Sequence, residues 1–328
     1  MKHVAVVMGG YSSEYKISLA SGKVVCNTLD RSKYIPYAIH ILPDRWVYVD
    51  EDNTEYFIDK NDFSVDYNGK KIVFDVVFNA IHGTPGEDGL LQAYFELIGM
   101  PHTSCGFYQA ALTMNKRDIL AVLKPYGIKT AISYYLNEGD YIDVEAIIQR
   151  VGLPCFVKPN RSGSSFGISK AKSSDELLQA IATAYREDSE IIIESFLDGT
   201  EVSVGVINYQ GEITVLPITE IISENDFFDY EAKYLGKSQE ITPARIDSKT
   251  KETIRDIASR IYKILRMEGF SRSEFIIVDG TPFLLEVNTV PGLTNESILP
   301  QQAKEAQISL PDLFDNAIIL ALQKHNNK

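Results

Sequence analysis

Along the first hundred residues, short apolar runs alternate with polar, glycine-rich stretches. HVAVVMGG (3–10) ends in glycines, and SSEYKISLASGKVVCNTL (12–29) then places Ile17, Val24, Val25 and Leu29 near helical spacing. This predicts a strand, a turn and a helix. A second apolar run, IVFDVVFNA (72–80), leads through the polar HGTPGEDG (82–89) into LLQAYFELIG (90–99), whose Leu90, Leu91, Tyr94, Phe95 and Ile98 fit one helical face. Strands alternating with helices predict a parallel sheet, on which ligand-binding loops lie at the carboxyl ends of the strands. Both polar loops are therefore expected on one rim.

The pattern changes after about residue 104. A helical stretch near 114–126 leads to LPCFVKPNRSGSSFGISKA (153–171), read as two short strands around a Gly/Ser loop. From about 190, the runs IIIESF, EVSVGVI and EITVLPITEI and the hairpin SRSEFIIVDGTPFLLEVN (271–288) make a strand-rich segment, and the tail from 301 reads as helix. The expected class is α/β, turning to α+β in the C-terminal half, in three units: 1–104, 105–193 and 194–328. Residues 225–245, NDFFDYEAKYLGKSQEITPAR, show no clear period, and their length, charges and aromatics predict an active-site lid.

The hairpin poses a chemical question. A three-residue loop at Asp279, Gly280 and Thr281 pairs Val278 with Pro282, Glu274 with Glu286 and Arg272 with Asn288. Alternation then sends Phe275, Ile277, Phe283, Leu285 and Val287 to the opposite, core-facing side. Directly opposed carboxylates repel, so a positive group is expected between them.

Bulk properties narrow the partners. The 328 residues, 45% of them hydrophobic, suffice for two or three domains. A formal charge of −13, from 32 basic and 45 acidic residues, argues against nucleic acid or an anionic membrane as partner, since both need a basic face. Cys26, Cys105 and Cys155 are odd in number and lack CxxC spacing, which fits small core residues rather than disulfides or zinc. No apolar stretch approaches the ~20 residues of a membrane span, and the start lacks a secretory signal, so a soluble cytoplasmic protein is expected.

NRSGSSFG (160–167) offers backbone N–H groups and hydroxyls suited to phosphate oxygens. It is not a Walker A loop, because ISKA continues as a strand where that motif needs GK[ST] running into a helix. By itself such a loop is more often a plain surface hairpin, and Lys116 and Lys158 by themselves read as exposed lysines. Glu274, Glu286 and the Asn288 carbonyl are hard oxygen ligands of the kind magnesium takes alongside water and substrate phosphates. A solvated polar edge is the alternative. Arg272 beside them is a second cation, suited to a developing oxyanion.

Together these motifs resemble the D-alanine:D-alanine ligases of the ATP-grasp superfamily. The resemblance runs in order through GGxSxE (9–14), HGTPGEDG (82–89), KPNRSGSSFG (158–167), FLDGTEVSV (196–204), DYEAKY (229–234), SRSEF (271–275) and LEVNTVPGLTNESILP (285–300). It implies an N-terminal parallel-sheet domain followed by two domains whose antiparallel sheets clasp ATP. By that resemblance Glu274 and Glu286 bind one magnesium, and Glu286 and Asn288 a second, with manganese able to substitute. Lys116, Lys158, Ser164, Ser165 and Lys233 hold the phosphates, Glu194 with the backbone of Ser195, Phe196 and Leu197 reads adenine, and Glu201 holds the ribose. Glu14, oriented through Ser164 and Tyr234, pairs with the ammonium of a first D-alanine. Ser297 and Ile298 hold the carboxylate of a second, and Arg272 and the Gly292 N–H stabilise the tetrahedral intermediate. His82 is a weak candidate at the first site. A homodimer is implied as well.

The pattern departs from the family at Glu274, where aspartate is usual, and a small backbone shift or changed denticity with activity kept is the expectation. Tyr234 favours an amine over a hydroxyl as second substrate, by the same resemblance. Three rivals remain. A nicotinamide dehydrogenase fits the opening strand but not GGYSSE, which is not GxGxxG; a non-catalytic nucleotide-binding relative has only Glu274 in its favour; and a ligase with D-serine or D-lactate as second substrate belongs to the same class.

Overall fold

The computed structural model describes residues 1–163, 165–223 and 238–326. Its first sheet has seven strands: β1 (Lys2–Gly9), β2 (Tyr34–Ile41), β3 (Trp46–Val49), β4 (Glu55–Asp59), β5 (Ser64–Tyr67), β6 (Lys70–Ile72) and β7 (Val76–Asn79), in the order β6-β5-β4-β3-β2-β1-β7. β1 runs parallel to β2 and β7. From β2 to β6 each strand is antiparallel to the last, so the parallel part anticipated from the two β-loop-α units continues as an antiparallel meander. β1 and β7 are buried on both faces, as strands covered from both sides must be.

One face packs on α2 (Leu90–Leu97) through Leu91 and Phe95 with Ala5, Val7, Ile39 and Phe63. Leu90, expected on that face, begins the helix and is 63% exposed. The other face packs on α1 (Tyr15–Thr28) and on the last helix, α9 (Leu310–Asn326), which returns from the far end of the chain to put Phe314 and Ile318 against Val4, Val6 and Phe78.

The second sheet, β10-β9-β11-β8, is antiparallel: β8 (Ser133–Asn137), β9 (Cys155–Pro159), β10 (Ser169–Ala171) and β11 (Glu190–Ser195). It packs on α5 (Val144–Val151) and α6 (Ser174–Ala184) around Ile147, Val157, Leu177 and Ile193. Side chains of Asp143 and Ser173 cap these helices by accepting from the amides of Ala146 and Glu176.

The third sheet holds β12 (Thr200–Tyr209), β13 (Glu212–Val215), β14 (Thr219–Ser223), β15 (Ser238–Ile241), β16 (Phe270–Val278) and β17 (Thr281–Asn288), with β16 paired to both β12 and β17. Its core takes in α7 (Ser248–Ile264) and also α3 (Phe107–Met114) and α4 (Lys116–Leu123), whose Ala110, Ile119 and Leu123 meet Val202, Val204, Phe275 and Leu284. α8 (Ile298–Glu305) follows β17. Part of the stretch anticipated as a lid is thus strand β15, paired with β14; residues 225–237 of it lie outside the described residues. Cys105 and Cys155 are buried, Cys26 is half-buried, and all three are free thiols. Among the described residues no helix is long and apolar enough to cross a membrane.

The β16–β17 hairpin corrects one expectation and keeps another. Its turn has two residues, not three: Asp279 and Gly280 take φ of +48° and +71°, which a tight primed turn requires, and Val278 faces Thr281. Uncorrected, that register would separate the two acids. A bulge at Leu285 restores it, since Phe275 pairs with Leu284 but Glu274 with Glu286. The extra residue moves the alternation by one, so Leu284 enters the core in place of the anticipated Phe283 and Leu285, and Leu285 turns to the cleft.

Candidate active site

The rim of the first sheet is sewn from two loops. Ser18 Oγ accepts from Gly9 N and donates to Ala80 O, both at 2.8 Å. Tyr11 N donates to Thr84 O at 2.8 Å, and Ser12 Oγ to His82 O at 3.0 Å. These bonds fix the turn that carries Glu14, which is buried. The Gly/Ser loop of the second sheet closes on it: a Cβ at Gly163 would lie 2.5 Å from Glu14 Oε2, so a side chain there would displace the Glu14 carboxylate.

Between the second and third sheets runs a cleft lined by Phe156, Lys158, Ser165, Glu194, Ser195, Leu197, Glu201, Glu274, Ile276, Leu285 and Glu286. Lys158 Nζ meets Glu194 Oε2 at 2.7 Å. Burial disfavours the Lys158 ammonium, but Glu194, with Glu286 and Glu201 behind it, outweighs burial and holds its pKa above the ordinary lysine value. Glu194 Oε1 is buried with no hydrogen-bond partner among the described residues, an acceptor left over in an apolar-walled cleft. The Ser195 N–H is spent on Ile132 O and its hydroxyl accepts from Ile132 N. The Phe196 ring turns away to Phe156 and to Lys170, whose Nζ sits 4.1 Å from the ring centre.

Each of the opposed acids has a cation beside it among the described residues. Arg272 Nη2 lies 2.9 Å from Glu274 Oε1, and Lys116 Nζ 3.2 Å from Glu286 Oε2. Lys116 also donates to Ser162 O at 2.7 Å, tying the Gly/Ser loop to the acids, and Asn288 Nδ2 lies 3.3 Å from Glu286 Oε1. Among the described residues no three His, Cys, Asp or Glu side chains gather as a metal site. The set here is two carboxylates and an amide, a donor set that fits magnesium when phosphates and water complete the octahedron.

A second cavity adjoins the first and is lined by Glu14, His82, Glu87, Arg272, Asn288, Gly292, Ser297 and Ile298. The structure therefore brings Glu14 from the first sheet's rim together with Arg272, Asn288, Gly292 and Ser297 from the far end of the chain. Ser297 Oγ bonds Thr294 Oγ1 at 2.8 Å at the start of α8. Ser164, Lys233 and Tyr234 lie outside the described residues.

Sequence reasoning missed three residues in this cavity or behind it. Glu87 sits inside a quoted motif, yet nothing marked it as buried. Its Oε1 accepts from Thr289 N and Val290 N and its Oε2 from Gly83 N, each at 3.1 Å. Burial, and then the charge of Glu14, outweigh those N–H groups and push its pKa up to about 7. Ser21, wholly buried in α1, looked like any small helical residue. Glu240, on β15, reaches the cavity and accepts from Gln301 Nε2 at 3.2 Å. His82 is buried, which lowers its pKa.

Residues 3–105 match the family model described as D-ala D-ala ligase N-terminus, and residues 123–319 the model described as D-ala D-ala ligase C-terminus. A D-alanine–D-alanine ligase from Flavobacterium johnsoniae is 70% identical over 98% of this chain and 100% of its own. One from Christiangramia forsetii is 59% identical over 98% and 99%. Among solved structures, a D-Ala:D-Ser ligase from Enterococcus faecalis superposes with a TM-score of 0.84 at 32% identity, covering 98% of this chain and 99% of that one. The D-alanine–D-alanine ligase from Coxiella burnetii gives 0.87 at 26% identity over 100% and 97%.

Proposed function

The chain belongs to the D-alanine–D-alanine ligase family, with the ATP-grasp fold, and on that premise we propose how its residues divide the work. The reaction is the ATP-dependent joining of two D-alanines for peptidoglycan synthesis. The observation that carries the assignment of residues is the pair Glu274–Glu286, opposed across β16 and β17, each matched by one cation, at the junction of the cleft and the cavity.

Adenine is assigned to the cleft beside Glu194, whose leftover acceptor suits an exocyclic amine, with the backbone of Phe196 and Leu197; Ser195 contributes as wall. Glu201 takes the ribose, and Lys116, Lys158, Ser164, Ser165 and Lys233 the phosphates. Glu274, Glu286 and Asn288 would hold magnesium. A metal held there would supply Lewis-acid chemistry, offsetting negative charge on the phosphates. Lys116 and Arg272 compensate the acids here and are the cations assigned to phosphate and substrate.

Glu14, with Ser164 and Tyr234, orients the first D-alanine by its ammonium. Its carboxylate oxygen attacks the γ-phosphorus, giving an acylphosphate and ADP. The amine of the second D-alanine, its carboxylate held near Ser297 and Ile298 and its ammonium proton passed to water, attacks the acyl carbon and gives up a further proton to the departing phosphate. Arg272 and the Gly292 N–H meet the oxyanion; collapse expels phosphate and leaves the dipeptide. One such donor is typically worth roughly 3 kcal/mol.

In this reading residues 1–104 supply the first-substrate loops, 105–193 the phosphate loop, and 194–328 the metal and oxyanion groups. A cytoplasmic homodimer is part of the proposal, and sedimentation would test its subunit number. The decisive experiment incubates the enzyme with magnesium, ATP and a panel of D-alanine, D-serine and D-lactate, with products read by mass spectrometry and ADP in parallel. D-Alanyl-D-alanine should dominate with one ADP per dipeptide. A D-serine or D-lactate product in excess, or ADP release independent of D-alanine, would sink it.

A further inference from the structure

Following every backbone N–H of residues 289–293 leads to one position. Thr289 N and Val290 N both donate to Glu87 Oε1 at 3.1 Å. Pro291 has no N–H. Leu293 N donates to Ser21 Oγ at 3.2 Å. Among the described residues, only Gly292 N in this run has no hydrogen bond, and Gly292 lines the cavity that also holds Glu14 and Arg272. The Val290 carbonyl is engaged as well, at 2.7 Å from His82 Nδ1, while His82 Nε2 lies 2.9 Å from Ser21 Oγ.

The network assigns its own protons. A carbonyl can only accept, so His82 Nδ1 carries the hydrogen, Nε2 accepts, and Ser21 Oγ donates to it. Ser21 thereby keeps a lone pair for Leu293 N. Every protein partner of the run's polar backbone groups named here belongs to the first sheet's rim or to α1, more than 190 residues away in sequence. Gly83 N, also on Glu87, ties the same carboxylate back to the loop beside Glu14.

We propose that Glu87, Ser21 and His82 form a clamp of positioning residues. It engages the backbone N–H groups on both sides of Gly292, leaves that single N–H for the substrate oxyanion, and fixes its distance from the first-substrate loop. None of the three touches the reacting atoms. Their effect passes through the segment 289–293, which cannot rotate without breaking bonds at Thr289, Val290 and Leu293. A donor held this way needs no reorganisation when charge develops, which is the condition for strong oxyanion stabilisation. The proposal rests on the reading that Gly292 N–H serves the tetrahedral intermediate.

The test compares two ligands of the full-length enzyme: the dipeptide D-alanyl-D-alanine, which is planar at the reacting carbon, and its phosphinate analogue, which is tetrahedral and anionic there. Glu87→Gln leaves one oxygen for three N–H groups and sets its NH2 either against Thr289 N and Val290 N or against Gly83 N, breaking one arm of the clamp. It should weaken the phosphinate about tenfold or more, lower kcat in parallel, and leave dipeptide affinity and the KM for ATP within about twofold. Ser21→Ala removes only the acceptor for Leu293 N and the hydroxyl on His82; it should act in the same direction, more weakly, and carries the test should Glu87→Gln not fold. Equal weakening of both ligands, or a lower Tm with the phosphinate preference intact, overturns the clamp. A wild-type enzyme that binds the phosphinate no better than the dipeptide overturns the Gly292 reading and the clamp with it.

Discussion

Where the second and third sheets face each other, charge is held by long side chains projecting from strands or a helix start: Lys158 on Glu194, Arg272 on Glu274, Lys116 on Glu286. Around Gly292 the material is opposite. A carboxylate, a hydroxyl and an imidazole, from Glu87, Ser21 and His82, grip backbone amides and a carbonyl. The two kinds of contact answer different needs. A buried ion pair is nearly balanced between desolvation and attraction, so a lysine can exchange a carboxylate for a phosphate at small net cost, and the nucleotide side can re-pair as substrates come and go. A backbone N–H pinned by its neighbours offers no alternative partner, which suits a group that must meet charge only in the transition state.

The comparison breaks first at Arg272, which belongs to both sides. Arg272→Met leaves Glu274, only 4% exposed, buried without its cation and removes an oxyanion donor. We expect roughly 3–5 kcal/mol of lost stability in urea unfolding and about 10²–10³ lost from kcat in coupled ADP assays. A large kinetic loss with unchanged stability would mean that Glu274 is compensated by something other than this pair.

Lys158→Met probes the nucleotide side alone. It strands the Glu194 carboxylate, already carrying one unbonded oxygen, and should cost about 3 kcal/mol of stability. The KM for ATP should rise at least about tenfold, with the KM for D-alanine little changed. Equal rises in both would erase the division drawn between the two sides.

Glu87 makes the amino-acid side sensitive to pH in a defined direction. Its folded-state pKa, raised to about 7, exceeds the unfolded value, so the folded protein holds a proton that the unfolded chain has released. That contribution to stability is complete below the unfolded pKa and disappears as pH rises through the folded one. Relative to Glu87→Gln, the wild type should lose about 2 kcal/mol of stability between pH 5 and 7.5, read from urea midpoints at several pH values. Parallel pH profiles for the two proteins would place the charge elsewhere.

How far the sequence could be read follows the same division. Glu274, Glu286, Arg272 and Asn288 were legible because a short hairpin leaves few registers, and two acids facing each other demand an explanation. Even there the route was misjudged: the turn is one residue shorter and the Leu285 bulge gives the residue back, so the acids meet while the core takes Leu284. The antiparallel meander of β3 to β6 was missed because its strands are three to five residues long and mostly exposed on one side, too short for a period to show. The clamp was illegible for a deeper reason. Ser21 and Glu87 matter through bonds to residues more than 190 positions away, and a helical serine or a loop glutamate carries no local sign of such a partner. The return of α9 to the first sheet is hidden likewise, since any amphipathic helix at the end of a chain could cover any open face.

The smallest effect is expected at Phe196, and its smallness is informative. The residue stands in the stretch assigned to adenine, where an aromatic invites a stacking role. Yet its ring lies 6.1 Å from that of Phe156 and under the Lys170 ammonium, and it is absent from the cleft wall that Leu197 and Ser195 help to form. Phe196→Leu keeps the backbone and the bulk while removing the π-face, at a cost to stability of about 0.5–1 kcal/mol for an exposed cation–π contact. The KM for ATP should stay within about twofold, because the ring is absent from the cleft wall. A tenfold rise would put the ring against the base, and the nucleotide side would then recognise its ligand by a surface as well as by exchangeable charge.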